Sequence, residues 1–141
     1  MVYIISALIL YTIAILLGTV AARKADTNLV TAIVNAISTI IPLIVVATYM
    51  KKDMFVKSKE GLIYAVLGGI AIAFFTMAMN KSFATNKVAI VSPVVFGGAI
   101  FLSSVLSYFL FKEKITPMQG IGLVVVLIGF LVIILAKLSG R

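Results

Sequence analysis

The chain alternates between five long apolar stretches and four short polar breaks. The stretches contain no Asp, Glu, Lys or Arg, and a helix needs about 20 such residues to cross a hydrocarbon core about 30 Å thick. The pattern therefore predicts five transmembrane helices joined by short loops. The predicted spans are residues 2–22, 29–50, 61–80, 88–111 and 117–136.

The overall composition agrees with this pattern. Of 141 residues, 63% are hydrophobic and 11% charged, and the mean hydropathy is +1.27. These values lie outside the usual balance of soluble domains. We expect an all-α integral membrane protein, a single domain over residues 1–141, located as a multi-pass protein in the inner (plasma) membrane.

The basic residues indicate how the chain is oriented in the membrane rather than that it binds nucleic acid. The formal net charge is +8, but the 12 Lys and Arg residues occur in ones and twos beside the apolar stretches, where lipid headgroups are the natural partners. We expect contacts with membrane lipids and no nucleic-acid partner. Five crossings place Lys51, Lys52, Lys57, Lys59, Lys112 and Lys114 on one face, and Arg23, Lys24, Lys81, Lys87, Lys137 and Arg141 on the other.

An excess of Lys and Arg on the cytoplasmic side normally sets the orientation of a membrane protein. Here the two faces carry six each, so the sequence predicts insertion in both orientations. A chain present in both orientations can pair with itself, and we expect an antiparallel homodimer.

Polar residues recur at helical spacing on the second and fourth spans. The second span carries Thr31, Asn35, Ser38 and Pro42 on one stripe, and the fourth carries Ser92, Phe96 and Ser103, with Pro93 beside them. Unpaired polar groups are costly in hydrocarbon, and Pro42 and Pro93 each free a carbonyl and are expected to kink their helices. The stripes indicate a substrate-binding cavity, although such residues also serve as interhelical hydrogen bonds.

Small residues mark two further faces. Tyr11 lies among Ala7, Ala14 and Gly18 on the first span, which suits either a wall of the substrate path or a close helix contact. On the fifth span, small residues recur every seven positions and predict a packing or dimer seam. The seam residues are Gly122, Gly129 and Ala136.

The available chemistry limits the function. Histidine and cysteine are absent, and the four acidic residues, Asp26, Asp53, Glu60 and Glu113, all fall in the breaks. The sequence therefore disfavours acid–base catalysis, nucleophilic catalysis and a metal site. It also disfavours transport that is coupled to protons through a buried acid. We expect that the protein is not an enzyme and binds no cofactor. We expect its substrate to be a neutral or zwitterionic small molecule.

Residues 81–134 carry a proline in the fourth span, the Lys112-Glu113-Lys114 break, Gln119 and the fifth-span glycines. In this order they resemble the EamA-type domain of the drug/metabolite transporter superfamily. Most members of that superfamily have ten spans arranged as two five-span halves of opposite orientation, and this chain resembles one half. The resemblance implies half of a ten-helix inverted-repeat transporter, completed by a second copy, that exports or facilitates metabolites such as amino acids by alternating access.

Two other functions stay open at this point. Small relatives in the superfamily serve as subunits of lipid-linked sugar flippases, in pairs of different chains. The polar stripes would also suit a membrane assembly subunit that binds another protein and transports nothing.

Overall fold

The computed structural model describes residues 1–51 and 59–140, without the side chain of Lys59. Lys52, Lys57 and Arg141, which enter the charge balance, lie outside the described residues. The described part of the chain contains helices and no strand. The helices are α1 (Val2–Lys24), α2 (Thr27–Ala47), α3 (Lys59–Thr85), α4 (Val88–Leu110) and α5 (Pro117–Leu138).

All five helices are long and apolar enough to cross a membrane, which confirms the predicted fold class. Large apolar side chains cover their surfaces and are mostly exposed in the isolated chain. A helix that is apolar on all sides is stable only where lipid or other helices surround it. The bounds differ from the predicted spans most clearly in α3, which continues past Asn80 to Thr85.

Local signals in the breaks determine where the helices begin. Asp26 Oδ1 accepts hydrogen bonds from the backbone N–H groups of Asn28 and Leu29, at 3.0 and 2.9 Å, and so caps α2. At the start of α5, Thr116 and Gln119 form a reciprocal capping box, and Pro117 occupies the first helical position. These caps supply partners for backbone donors that a helix start leaves unpaired.

The helices form two compact units, residues 1–85 and 86–141. In the first unit, α1, α2 and α3 all contact one another. Its buried residues cluster where α1 and α3 end and α2 begins, and Arg23 Nε donates to the Phe83 carbonyl oxygen at 3.2 Å there. The buried residues of this cluster are Thr19, Ala22, Val30, Thr31, Met79, Asn80 and Phe83.

In the second unit, α4 packs against α5. They lie close together at Gly97, where an added Cβ would lie 3.3 Å from Phe130 Cβ. Lys137 Nζ donates to Asn86 Oδ1 at 3.0 Å and so joins the end of α5 to the residue two before α4 begins. A glycine at the contact lets the two backbones approach closely, as is usual between membrane helices.

Candidate functional site

Two hydrogen-bonded Asn–Thr pairs join α2 to α3. In the first, Asn80 Nδ2 donates to Thr31 Oγ1 at 2.8 Å, and both side chains are buried. The Thr31 hydroxyl in turn donates to the Thr27 carbonyl oxygen at 2.7 Å. Thr31 therefore both donates and accepts, and its position is fixed between its own helix and α3.

In the second pair the asparagine lies on α2 and the threonine on α3, the opposite of the first pair. Asn35 Nδ2 on α2 donates to Thr76 Oγ1 on α3 at 3.1 Å. Moving four residues forward along α2 thus moves four residues back along α3, as antiparallel helices require. We call these four residues, Thr31, Asn35, Thr76 and Asn80, the Asn–Thr ladder.

The ladder leaves part of its hydrogen-bonding capacity unused. The Thr76 hydroxyl has one hydrogen, and the Ala73 and Ile72 carbonyl oxygens lie 2.9 and 3.0 Å away, closer than Asn35 Oδ1 at 3.4 Å. Asn35 Oδ1 therefore lacks a strong donor. Among the described residues, Asn80 Oδ1 has no donor, and each amide uses only one of its two N–H groups.

Ser38 of the α2 stripe and its neighbour Thr39 bond to their own helix. Ser38 Oγ and Thr39 Oγ1 both donate to the Asn35 carbonyl oxygen, at 3.0 and 2.8 Å. Pro42, inside α2, has no N–H to give to the Ser38 carbonyl. The polar side of α2 therefore combines the Asn35 amide with a crowded carbonyl and the exposed hydroxyl of Ser38.

The predicted residues of α4 lie in the second unit. Ser92 Oγ is fully buried and has no hydrogen-bond partner among the described residues, and Pro93 follows it inside α4. Phe96 is half-buried, whereas Ser103 is exposed and donates to the Ile100 carbonyl oxygen at 3.2 Å. A buried hydroxyl without a partner costs about 1 to 3 kcal/mol, which a ligand or a second chain that pairs with Ser92 would recover.

Tyr11 and the fifth-span glycines Gly122 and Gly129 lie at exposed positions. Tyr11 lies on α1 and is 47% exposed. A Cβ added at Gly122 or Gly129 would meet no atom within 4 Å, so neither glycine forms the close contact between α4 and α5. The seam through Gly122, Gly129 and Ala136, between spans or between chains, stays a prediction.

Sequence reasoning missed three of these residues. Thr76 and Asn80 stand four apart on α3, the same spacing as Thr31 and Asn35 on α2, and this repeat was a usable signal. The sequence alone did not distinguish Gly97, the glycine at the α4–α5 contact, from the other glycines of the chain. Spacing along a helix identifies a face, but it does not identify the facing residue.

Five long apolar helices, with an uncharged polar ladder between two of them, define a multi-pass membrane protein. The family model described as "EamA-like transporter family" matches residues 1–135, and the chain belongs to that family. This confirms the resemblance drawn from the sequence and assigns the protein to the membrane transporters of small solutes. No curated protein and no solved structure matches the chain.

Proposed function

We propose that the protein transports neutral or zwitterionic metabolites such as amino acids across the inner (plasma) membrane, as an exporter or facilitator. It works by alternating access and acts as an antiparallel homodimer. Each chain is then half of a ten-helix inverted-repeat assembly, and the substrate path lies between the two copies.

The unused hydrogen-bonding capacity of the Asn–Thr ladder carries this proposal. Asn35 and Asn80 retain carbonyl oxygens without strong donors and N–H groups without acceptors among the described residues. In an apolar surrounding such groups gain free energy when a ligand pairs with them. Because the ladder consists of amides and hydroxyls, it suits solutes that carry no net charge.

The other predicted residues take defined roles in the proposal. Asn35, Ser38, Ser92 and Phe96 from both copies surround a site near the middle of the membrane, with Tyr11 and Ser103 along the path. Thr31 holds Asn80 through a 2.8 Å hydrogen bond and therefore positions the amide without itself having to touch the solute. Pro42 and Pro93 interrupt backbone hydrogen bonding in α2 and α4, as is common near transporter sites.

Charge balance supports the antiparallel arrangement. Six basic residues fall on each face by the parity of the crossings, so neither orientation is favoured by the usual excess on the cytoplasmic side. Two copies in opposite orientations place the same polar stripes on both sides of a shared path. This is how a five-span chain provides both halves of an inverted repeat.

Flux measurements in proteoliposomes test the function. We expect Asn35→Ala and Asn80→Leu to lower the uptake of labelled neutral amino acids on the order of tenfold, because each removes an amide that pairs with the solute. Thr39→Val is the matched control, since the exposed Thr39 hydroxyl bonds only to its own helix. Undiminished flux in both amide variants would exclude the ladder as the solute site, and no flux of any such solute by the unmodified protein would contradict the proposed function.

A further inference from the structure

A groove of about 380 Å³ opens between α4 and α5, next to the segment 111–116 that joins them. We call it the interfacial groove. Ser104 and Ser107 of α4, Glu113 and Lys114 of the joining segment and Leu123 of α5 contribute to its walls. Ser92, Phe96 and Ser103 of the proposed solute path also lie on α4, but no residue of that path lines this groove.

Both ends of the joining segment are held in place. At its start, the Phe111 N–H donates to the Ser107 carbonyl oxygen at 2.9 Å. Lys112 follows with φ of 55°, in the left-handed region that residues with a side chain rarely adopt. At its end, the capping box fixes Thr116 and Gln119. This geometry holds Glu113 and Lys114 at the opening of the interfacial groove.

The polar end of the interfacial groove offers groups of both signs. Glu113 and Lys114 are exposed, and neither forms an ion pair or hydrogen bond among the described residues. The hydroxyls of Ser104 and Ser107 donate to carbonyl oxygens of α4, at 2.8 and 3.0 Å, so their oxygens remain as acceptors. A carboxylate with two hydroxyl oxygens suits a primary ammonium group, and the lysine suits an anion.

The groove becomes apolar toward the middle of the membrane. Val126, its deepest residue along α5, lies about 13 Å from the start of that helix at 1.5 Å per residue, close to the depth of one leaflet. Leu123 lies between Val126 and the charged end. Gly122 keeps the groove open, because a Cβ there would meet no atom within 4 Å. This change from charged to apolar along one groove matches an amphiphile better than a free solute.

The geometry points to a binding site for a zwitterionic aminophospholipid of the phosphatidylethanolamine class. Its ammonium pairs with Glu113 and the serine hydroxyls, its phosphate with Lys114, and its upper acyl chain lies on Leu123 and Val126. A volume of 380 Å³ corresponds to about a dozen groups the size of water, which accommodates the headgroup and the glycerol. The lipid would bind the α4–α5 pair to one leaflet.

Lipid retention on the purified, delipidated full chain tests the site without any transport assay. Phosphatidylethanolamine or phosphatidylglycerol is added in detergent, and bound lipid is counted by native mass spectrometry. We expect the unmodified protein to retain about fivefold more phosphatidylethanolamine than phosphatidylglycerol, a difference close to the net contribution of one typical hydrogen bond. Glu113→Gln should abolish this preference without altering the helices.

A pair of glycine variants locates the site. Gly122→Leu fills the interfacial groove and should lower retention of phosphatidylethanolamine about fivefold. Gly120→Leu is the matched control, because Gly120 lies two residues away on another side of α5 and also has open space around it. It should retain the lipid as the unmodified protein does.

Three results would overturn the assignment. The first is unchanged retention of phosphatidylethanolamine in both Glu113→Gln and Gly122→Leu. The second is equal or greater retention of phosphatidylglycerol by the unmodified protein, which would show that the groove binds lipid only through its basic residues. The third is full displacement of the lipid by soluble phosphoethanolamine, which would make the groove a site for a free solute. Failure of the transport proposal would change none of these measurements.

Discussion

Four uncharged side chains connect α2 and α3 within the membrane-spanning part of the molecule. In the Asn–Thr ladder each threonine accepts from an asparagine of the other helix, so two polar residues on each helix are paired at once. Interhelical hydrogen bonds of this kind contribute about 0.6 kcal/mol on average and up to about 1.7 kcal/mol. The ladder is therefore both a contact that fixes helix register and a source of unpaired amide groups for a ligand.

A double-mutant cycle measures the structural part of this role. Thr31→Val and Asn80→Leu each remove one partner of the buried 2.8 Å hydrogen bond while nearly preserving side-chain volume. We expect the loss of unfolding free energy in the double variant to be about 0.6 to 1.7 kcal/mol smaller than the sum of the single losses. Reversible unfolding in mixed micelles provides the values.

Thr12→Val serves as the reference for this cycle, because the exposed Thr12 hydroxyl bonds only to the Leu8 carbonyl oxygen of its own helix. Combined with Asn80→Leu, it should show additive losses. Additivity between Thr31→Val and Asn80→Leu as well would mean that the first pair of the ladder does not stabilise the fold.

The sequence was sufficient to identify Asn35 and Thr31 as polar residues on one side of α2. It was not sufficient to find Asn80 and Thr76, because the register between two helices depends on how their surfaces pack. Thr31 shows the difference most clearly. Its position on the stripe suggested direct contact with a substrate, whereas the structure buries it against Asn80.

Between whole helices, one glycine marks a close contact of α4 with α5. Gly97 lies where an added Cβ would be 3.3 Å from Phe130 Cβ and 3.9 Å from Val126 Cγ1. Its neighbour Gly98 would meet no atom within 4 Å. Two adjacent glycines of the same helix thus have opposite surroundings, and only one of them is required for packing.

This contrast gives a matched pair of variants. Gly97→Leu places a large side chain against α5 and should lower the free energy of unfolding by about 1 to 3 kcal/mol, as overpacking does. Gly98→Leu makes no such contact and should change it by less than about 0.5 kcal/mol. Thermal unfolding in detergent compares them, and equal stability of the two variants would show that α4 and α5 do not pack at Gly97.

Five helices were predictable because hydrophobicity over about 20 residues decides whether a segment enters a bilayer. Their ends were less predictable. α3 continues to Thr85 because backbone hydrogen bonds persist through polar residues once a helix leaves the apolar core, so the polar residues that end the predicted span do not end the helix. The caps at Asp26 and Thr116 depend only on neighbours within three residues and are therefore local features of the sequence.

For the whole molecule, the balance of charge between the two faces is the property on which the dimer proposal rests. Removing basic residues from one face should break it. Lys112→Gln with Lys114→Gln leaves four basic residues on that face against six on the other, and the richer face should become cytoplasmic. This double variant should therefore adopt mainly one orientation.

Site-directed labelling of single cysteines in intact cells measures whether the chain occurs in both orientations. The sequence has no cysteine, and the exposed residues Ala25, after α1, and Met50, beyond the end of α2 at Ala47, fall on opposite faces by the parity of the crossings. Neither Ala25→Cys nor Met50→Cys changes the charge balance. With a membrane-impermeant maleimide, we expect about half of each variant to be labelled before permeabilisation and the remainder after it. Complete labelling of one variant and none of the other would contradict dual orientation and, with it, the antiparallel homodimer.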